Sequence, residues 1–506
     1  MKKILFAAAI FSIFNFHFSI LKAQQPDAKY KLLRYEWTVN ADGTSDYHYR
    51  HEVQILRNRA LTAYADKGET FVVYNPDLEE VTINEVYTIQ LDGTRVEMPQ
   101  NAFIYQLPEE CADCGRFNHL RELAMVHTGM ELGCTIVVDY TIHRRYNLLR
   151  ESIALQRECP VEKLEIVVNN NSPFQVKYDT LGRQYLPTAG VSKTVNTMVV
   201  DGQMSNKTTY AFNNMAQAPA EPYMPSDIVP TLRIYNGAPE HTPAFDQKPF
   251  HEAADVVGQL MNGDNAQENI TNIRNYVVDN IHLNDIHPSH LGYVHATPFE
   301  VWATGCGTAT DKAVFLAAIL NREGYSARVI GEDYDQVGVM IDTVEYRLDV
   351  RSKEPMEVNG EAQDEIATCD ISNTIDVAEY LDTLEDGFFK IIPFFPLPGE
   401  PTVQASVLPL QRTTPLVASA CDLRSDITYM LPKGLKMVGG EVNETLDFPG
   451  IGSLTISVKQ SGKKIKVVRN LKIDHSTIKV EEYARFRQLL ATWQTYEGKQ
   501  VLLRKK

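Results

Sequence analysis

A buried helix near the middle of the chain constrains the fold most strongly. The run from Val314 to Leu320 is almost wholly apolar, and Gly324 follows it. Thr308 and Asp311 precede the run with the spacing of an N-terminal cap, in which each side chain accepts a backbone N–H of the other residue. The pattern predicts a buried helix that begins at Ala309 and ends just before a glycine.

Two more helices are predicted upstream of this one. Apolar residues at three- or four-residue spacing indicate an amphipathic helix over Asn269–Ile281. Thr297–Glu300 combines a capping threonine, a proline at the first helical position and a glutamate, which predicts a short helix carrying Trp302.

Three strands are predicted downstream of the buried helix. They are Tyr325–Ile330, Gln336–Ile341 and Val344–Val350. If the last two form a hairpin centred on Asp342 and Thr343, Gln336 lies opposite Asp349.

This segment resembles the transglutaminase-like, papain-related family. It carries Gly-x-small-x-Asp-Lys-Ala at Gly307–Ala313, Gly-Tyr-Ser-Ala-Arg at Gly324–Arg328 and Tyr-x-Leu-Asp at Tyr346–Asp349. In that family the first motif has cysteine at the small position, that cysteine opens the buried helix, and a hairpin supplies a histidine and an aspartate. The resemblance implies a transglutaminase-like α+β core over residues 245–360.

The resemblance also places the three catalytic positions. Ala309 occupies the position of the cysteine, Gln336 that of the histidine and Asp349 that of the aspartate. A cysteine nucleophile needs a thiolate and a histidine that moves protons, and neither alanine nor glutamine does this at neutral pH. We therefore expect a degenerate site, with no catalytic residue assigned.

Cys306 is the alternative nucleophile. It precedes Ala309 by three residues, in the turn before the helix, so its sulfur is expected several ångströms from the family position. A structural or disulfide-bonded cysteine is the other interpretation. If the inherited cleft is retained, Trp302 and Cys306 are candidates for its floor.

The regions on either side of this core are rich in β-strand patterns separated by turn signals. We therefore predict an α+β multidomain protein with an N-terminal β-sandwich-like domain, the central core and a C-terminal β domain. The predicted boundaries are 1–23 signal peptide, 24–217 N-terminal β domain, 218–244 Pro-rich linker, 245–360 core, 361–405 irregular connector and 406–506 C-terminal β domain.

Short motifs extend the resemblance over most of the chain. Asp92-Gly93-Thr94, Phe117–Arg121 and Gly129–Tyr140 resemble a secreted family in which a β domain of unknown function precedes a transglutaminase-like core. Leu431–Gly434 and Glu481–Arg487 resemble the companion β domain that follows it.

The first residues predict export. Lys2 and Lys3 are followed by the mostly apolar Ile4–Ile20 and a small residue, Ala23, so the mature chain is expected to begin near Gln24. An uncleaved anchor is the alternative. After cleavage no integral membrane span is expected, and the protein is placed in the periplasm or outside the cell.

The charge and the cysteine content limit which partners, disulfides and cofactors we expect. The formal charge of −16 becomes −19 once Lys2, Lys3 and Lys22 are removed, which disfavours nucleic acid. Seven cysteines leave at least one unpaired, and Cys111 and Cys114 are interpreted as a local disulfide or as free thiols. No metal or cofactor is indicated, and the histidines of residues 282–295 are expected to be exposed to solvent.

Three functions remain open. The leading hypothesis is a non-catalytic exported protein that binds a peptide, glycan or envelope protein partner. The second is a cysteine peptidase or acyltransferase that uses Cys306. The third is a purely structural component of an envelope complex.

Overall fold

The computed structural model describes residues 26–505 apart from short segments. The omitted segments are 64–69, 187–189, 201–202, 226–227, 237–249, 332–335, 354–356, 359–360, 363–365, 378–380, 384–388 and 496–497. The predicted signal peptide therefore lies outside the described residues. The described residues of 1–218, 230–243 and 284–295 form one compact unit, and those of 219–229, 244–283 and 296–506 form a second.

The first unit is built almost entirely of strands. They are β1 Ala28–Val39, β2 Ser45–Ile55, β3 Phe71–Tyr74, β4 Glu79–Ile89, β5 Arg95–Glu97, β6 Phe103–Gln106, β7 Arg121–Met125, β8 Thr135–Arg144, β9 Arg150–Ala154, β10 Val161–Asn170, β11 Val176–Leu181, β12 Val191–Val200, β13 Gln203–Met215 and β14 Thr231–Asn236. One helical turn, α1 (Ala60–Ala63), accompanies them.

Eight of these strands form one sheet in the order β12-β13-β10-β1-β2-β8-β4-β5. The other two sheets are β11-β14-β9 and β3-β7-β6. Leu33, Tyr35 and Trp37 alternate along β1 and are all buried, as expected for a strand with one face against the core. The alternating pattern of the N-terminal region thus corresponds to real strands.

Helices are concentrated in the second unit. They are α2 Ala254–Leu260, α3 Ala266–Asn280, α4 Pro298–Thr304, α5 Ala309–Arg322 and α6 Tyr483–Trp493. Its strands are β15 His282–Leu283, β16 Cys306–Gly307, β17 Ser326–Ile330, β18 Gln336–Ile341, β19 Val344–Asp349, β20 Glu357–Val358, β21 Glu361–Ala362, β22 Ala367–Asp376, β23 Asp382–Thr383, β24 Phe389–Pro393, β25 Leu416–Val417, β26 Cys421–Met430, β27 Leu435–Met437, β28 Val442–Phe448, β29 Gly452–Ser461, β30 Lys464–Ile473, β31 Thr477–Ile478 and β32 Gln500–Lys505.

Three larger sheets organise this unit. The sheet β17-β18-β19-β20-β21 follows α5, and the sheets β22-β26-β30-β29-β28 and β23-β24-β32-β27 form the C-terminal part. Arg469 lies in that part, with its guanidinium carbon 4.3 Å from the centre of the Trp493 ring and its Nη2 3.3 Å from the Glu400 carboxylate. The buried charge is thereby both paired and stacked.

The predicted fold class was wrong. We expected an α+β multidomain protein, whereas the multidomain chain is mostly β, with 46% of residues in strands and 17% in helices. The central helices are few and short, since α2 and α4 have 7 residues each and α5 has 14. The strands of the flanking regions outnumber these helices. The fold class predicted from the central helical segment therefore does not describe the whole chain.

Two expected connecting segments carry regular structure. The Pro-rich residues 218–244 contain β14, which lies between β11 and β9. Glu221, also in this segment, accepts the Thr414 N–H at 2.9 Å. Residues 361–405, predicted to be irregular, contain β22, which pairs with β26 along its whole length. Among the described helices, none has the length and apolarity needed to cross a membrane.

Candidate functional site

Helix α5 begins as the sequence predicts. The Thr308 hydroxyl accepts the Asp311 N–H at 3.2 Å, and the Asp311 carboxylate accepts the Thr308 N–H at 2.9 Å, which completes a capping box. Ala309 is the first helical residue and is 8% exposed. A helix N-terminus stabilises an anion, but here its first side chain is a methyl group.

Asp311 holds this turn together. Its second oxygen accepts the backbone N–H of Ala296, and the side chain is fully buried. A Cβ at Gly307 would lie 2.8 Å from the Asp311 Cβ, so glycine is required there for the carboxylate to approach. The glycine and aspartate of the motif are therefore explained by the backbone alone.

Lys312 connects α5 to α3. Its Nζ donates to the Ile281 carbonyl at 2.8 Å and to the Val278 carbonyl at 3.4 Å, at the C-terminal end of α3. Burial lowers the pKa of this lysine to about 8, against the opposing charges of Asp349 and Asp279. A cation at a helix C-terminus satisfies carbonyls that have no partner within the helix.

The hairpin has the predicted register. Gln336 lies opposite Asp349, and Ile341 lies opposite Val344 across the turn. This pairing places the glutamine and the aspartate side by side at the open end of the hairpin. The two strands are therefore symmetric about residues 342 and 343, as the sequence predicts.

The Asp349 carboxylate is engaged by the chain that follows it. It accepts the backbone N–H groups of Arg351 at 3.0 Å and Ser352 at 3.2 Å, and the Ser352 hydroxyl at 2.6 Å. Within the described part of the chain, no hydrogen bond joins it to the Gln336 amide. The Gln336 side chain is half-buried, and its amide has no hydrogen-bond partner among the described residues.

Trp302 belongs to the core of the second unit. Its ring stacks on Phe315, with centroids 6.2 Å apart, and meets the edge of Phe250 at 6.5 Å. Trp302 thus packs against aromatic side chains, and these contacts explain an indole at this position without a ligand.

Cys306 is disulfide-bonded and 2% exposed. Cys114 is disulfide-bonded as well, whereas Cys111, Cys134, Cys159, Cys369 and Cys421 form no disulfide bond. A bond between Cys111 and Cys114 is therefore excluded, and burial raises the pKa of the Cys111 thiol to about 11. Position 306 offers no thiolate while its disulfide is intact.

The expectation of exposed histidines in residues 282–295 fails for His290. Its Nδ1 lies 3.0 Å from the carboxylate of Glu79, whose side chain is fully buried. His287 lies 2.6 Å from the Ser289 hydroxyl, and His282 is exposed. Among the described residues, no group of three or more His, Cys, Asp or Glu side chains is placed to hold a metal.

Glu79 is the centre of a buried charge cluster in the first unit, which the sequence patterns did not reveal. Its carboxylate accepts the Arg144 Nε–H at 3.1 Å and the Asn75 N–H at 2.9 Å, in addition to facing His290. Arg144 also donates to Glu151 at 3.0 Å. Arg144 and His290 lie 65 and 211 positions from Glu79, so no local spacing identifies them as its partners.

Two domain families match this chain. Residues 41–206 match the domain of unknown function DUF3857, and residues 391–503 match the domain of unknown function DUF3858. The chain therefore contains both domains. A comparison with curated protein sequences gives no match.

The fold is shared with a solved protein. A crystal structure described as a "putative protease" from Parabacteroides distasonis ATCC 8503 superposes with a TM-score of 0.77. The match covers 95% of this chain and 100% of that chain, at 22% sequence identity. The arrangement of elements is therefore common to both proteins.

Proposed function

We propose that this chain is an exported transglutaminase-like protein that binds a ligand at its inherited cleft and does not catalyse acyl transfer. The observation that supports the proposal is the start of α5. Ala309 is the first residue of this helix, where the resemblance leads us to expect the cysteine, and the nearby Cys306 is disulfide-bonded. Neither position supplies the thiolate that a cysteine-dependent reaction requires.

Gln336 and Asp349 are the proposed ligand-binding residues of the cleft. The glutamine amide both donates and accepts hydrogen bonds, which suits the amides of a peptide or the hydroxyls of a glycan. Asp349 is fixed by Arg351 and Ser352, so its position is set before a ligand arrives. A preorganised acceptor loses less entropy on binding.

Binding to peptide and glycan arrays tests this role. Gln336→Ala is expected to weaken binding about tenfold or more, because a buried polar contact is lost. Gln259→Ala is the matched control, since Gln259 is exposed on α2 in the same unit. Equal binding by both variants would place the ligand outside this cleft.

A cysteine peptidase or acyltransferase that uses Cys306 is the second candidate. The description of the structural neighbour as a protease favours it. This function requires reduction of the disulfide, so turnover of peptide and glutamine-amide substrates should appear only with reductant and vanish in Cys306→Ser. The binding proposal expects no turnover in either protein.

Restoring the missing groups tests whether the scaffold of the family is retained. A cysteine introduced by Ala309→Cys is expected to have a lowered thiol pKa, because the N-terminus of α5 stabilises its thiolate. Alkylation rates across pH report that pKa, with Ala303→Cys, exposed on α4, as the control. Identical pH profiles would contradict the proposed placement of the family site at Ala309.

Export is the remaining part of the proposal. It is supported by the charged and apolar pattern of residues 1–23. N-terminal sequencing of the protein from its native host is expected to begin near Gln24. A chain that still begins at Met1 in the membrane fraction would indicate an uncleaved anchor instead.

A further inference from the structure

The first unit contains a cavity that is separate from the positions discussed above. It has a volume of about 660 Å³ and is bordered by residues of β3, β6 and β7. This size falls within the range of small-molecule sites, which is roughly 300–1,000 Å³. The cavity is therefore large enough for a ligand of several heavy atoms.

The cavity combines an apolar floor with an acidic side. Met125 and Ile136, which are 2% and 0% exposed, contribute to the floor. Glu109, Glu110 and Glu122 also line it, and no lysine or arginine is among its lining residues within the described part of the chain. Its charge is therefore suited to a cation, and its floor to an apolar group.

Glu122 is the innermost of the three glutamates and is 7% exposed. One carboxylate oxygen, Oε1, accepts a hydrogen bond from the Gln106 amide at 2.7 Å. The other oxygen has no hydrogen-bond partner among the described residues. Burial raises the pKa of Glu122, and the charges of Glu110 and Glu109 raise it further, so a bound cation would relieve an unfavourable charge.

His127 offers a second polar group to the cavity. Its Nδ1 lies 3.3 Å from the Thr88 hydroxyl, whereas its Nε2 is buried and has no hydrogen-bond partner among the described residues. Burial, with a further effect of His51, lowers the pKa of this imidazole to about 4, so the ring is neutral at pH 7. A buried polar atom without a partner is costly, and a ligand that bonds to it removes the cost.

We propose that this cavity binds an alkylammonium group, with the cation at Glu122 and its apolar stem over Met125 and Ile136. Such a group occurs in free aliphatic amines and in the lysine side chains of peptides. Glu109 and Glu110 attract the cation from solvent, and Glu122 holds it. This binding site is independent of the cleft at α5.

The test measures dissociation constants of the full chain by ligand-observed NMR. The probes are n-hexylamine, which is cationic, and n-hexanol, which has the same stem without the charge. Hexylamine is expected to bind at least about tenfold more tightly, since a charge-assisted hydrogen bond forms only with the amine. Equal affinities, or no binding of either probe, would overturn the proposal.

Variants of the glutamates test which carboxylate holds the ammonium group. Glu122→Gln is expected to remove the preference for the amine, while Glu80→Gln, at an exposed residue of β4 outside the cavity, should retain it. The double variant Glu109→Gln and Glu110→Gln alters exposed residues only and should weaken amine binding a few-fold, which keeps the test valid if Glu122→Gln does not fold. Retention of the full preference in every folded cavity variant would contradict the assignment.

A peptide probe separates the two sources of the amine. Acetyl-Leu-Lys-Leu-amide is compared with n-hexylamine and with the same peptide carrying acetylated lysine. Tighter binding of the lysine peptide assigns the cavity to peptide partners, and tighter binding of hexylamine assigns it to free amines. Equal binding of the acetylated peptide would overturn a role for the ammonium group.

Discussion

The start of α5 and the surroundings of Glu79 hold buried charge in different ways. At the start of α5 in the second unit, Asp311 and Lys312 bond to backbone groups of nearby loops and of the helix α3. Around Glu79 in the first unit, charged side chains bond mainly to one another, through Arg144 and His290. The first arrangement fixes the backbone of a motif, and the second joins distant segments of the chain.

The difference shows which residues at the start of α5 have a backbone role. Asp311 and Lys312 each satisfy buried backbone groups, so a change at either position leaves those groups without a partner. Ala309 opens the helix and Gln336 opens a strand, and neither side chain has such a role among the described residues.

Removing Glu79 is the severest test of the side-chain cluster. Glu79→Ala leaves Arg144 and His290 without their buried partner and is expected to lower the free energy of unfolding by about 4 kcal/mol. Urea denaturation of this variant and of Glu80→Ala, its exposed neighbour, measures the effect. A similar small loss in both would show that the cluster contributes little.

The cluster also predicts a pH dependence. Burial opposes ionisation of Glu79, but the hydrogen bond and charge of His290, the charge of Arg144 and the Asn75 N–H outweigh it, so the folded pKa lies below the ordinary 4.5. Stability from this group is present above pH 4.5 and is lost as pH falls through the folded pKa. The stability difference between the native protein and Glu79→Gln should shrink below that pH, and a constant difference would contradict the explanation.

A substitution of Asp311 tests the arrangement in which a buried charge bonds to backbone groups. Asp311→Ala leaves the N–H groups of Thr308 and Ala296 buried without an acceptor and is expected to cost about 3 kcal/mol of unfolding free energy. Asp255→Ala, at an exposed residue in the first turn of α2, is the control and should cost about 0.5 kcal/mol. Equal losses, measured by urea denaturation, would remove the structural reason for this motif residue.

Two histidines, His290 and His282, allow a buried ion-pair partner to be compared with an exposed side chain. His290→Ala removes a partner of Glu79 but leaves Arg144 in place, so a loss of about 1.5 kcal/mol in unfolding free energy is expected. His282→Ala, at an exposed histidine, should change it by less than about 0.5 kcal/mol. Thermal unfolding of the two variants decides whether His290 is structural.

Lys312 is expected to show the smallest net effect near neutral pH, because Lys312→Met loses hydrogen bonds but also removes a buried charge. The folded pKa of about 8 lies below the ordinary 10.5, so the unfolded chain binds more protons between these values. Stability of the native protein from this group should therefore rise from about pH 8 to pH 10.5. Lys312→Met should lack that rise, and an unchanged pH profile would contradict a buried ammonium.

Local patterns predicted the elements around α5 well. The cap at Thr308, the helix start at Ala309 and the pairing of Gln336 with Asp349 all depend on residues close in sequence, and all were confirmed. Helix capping and strand alternation depend on residues close together in the chain, so both can be predicted from the sequence alone.

Long-range contacts could not be predicted in this way. Glu79 and His290 are 211 positions apart, and neither lies in a recognisable motif. The pairing of β22 with β26 depends on a parallel register that only tertiary packing sets. The overall fold class failed for the same reason, because the share of strands depends on how the flanking regions pair.

The proposed function requires that neither Ala309 nor Cys306 supplies a reactive thiolate. The most direct measurement is turnover of a peptide library and glutamine-amide substrates by the native protein and by Cys306→Ser, each with and without mild reductant. We predict the same background rate in all four samples. Turnover by the reduced native protein that is absent from Cys306→Ser would contradict this account and establish Cys306 as a nucleophile.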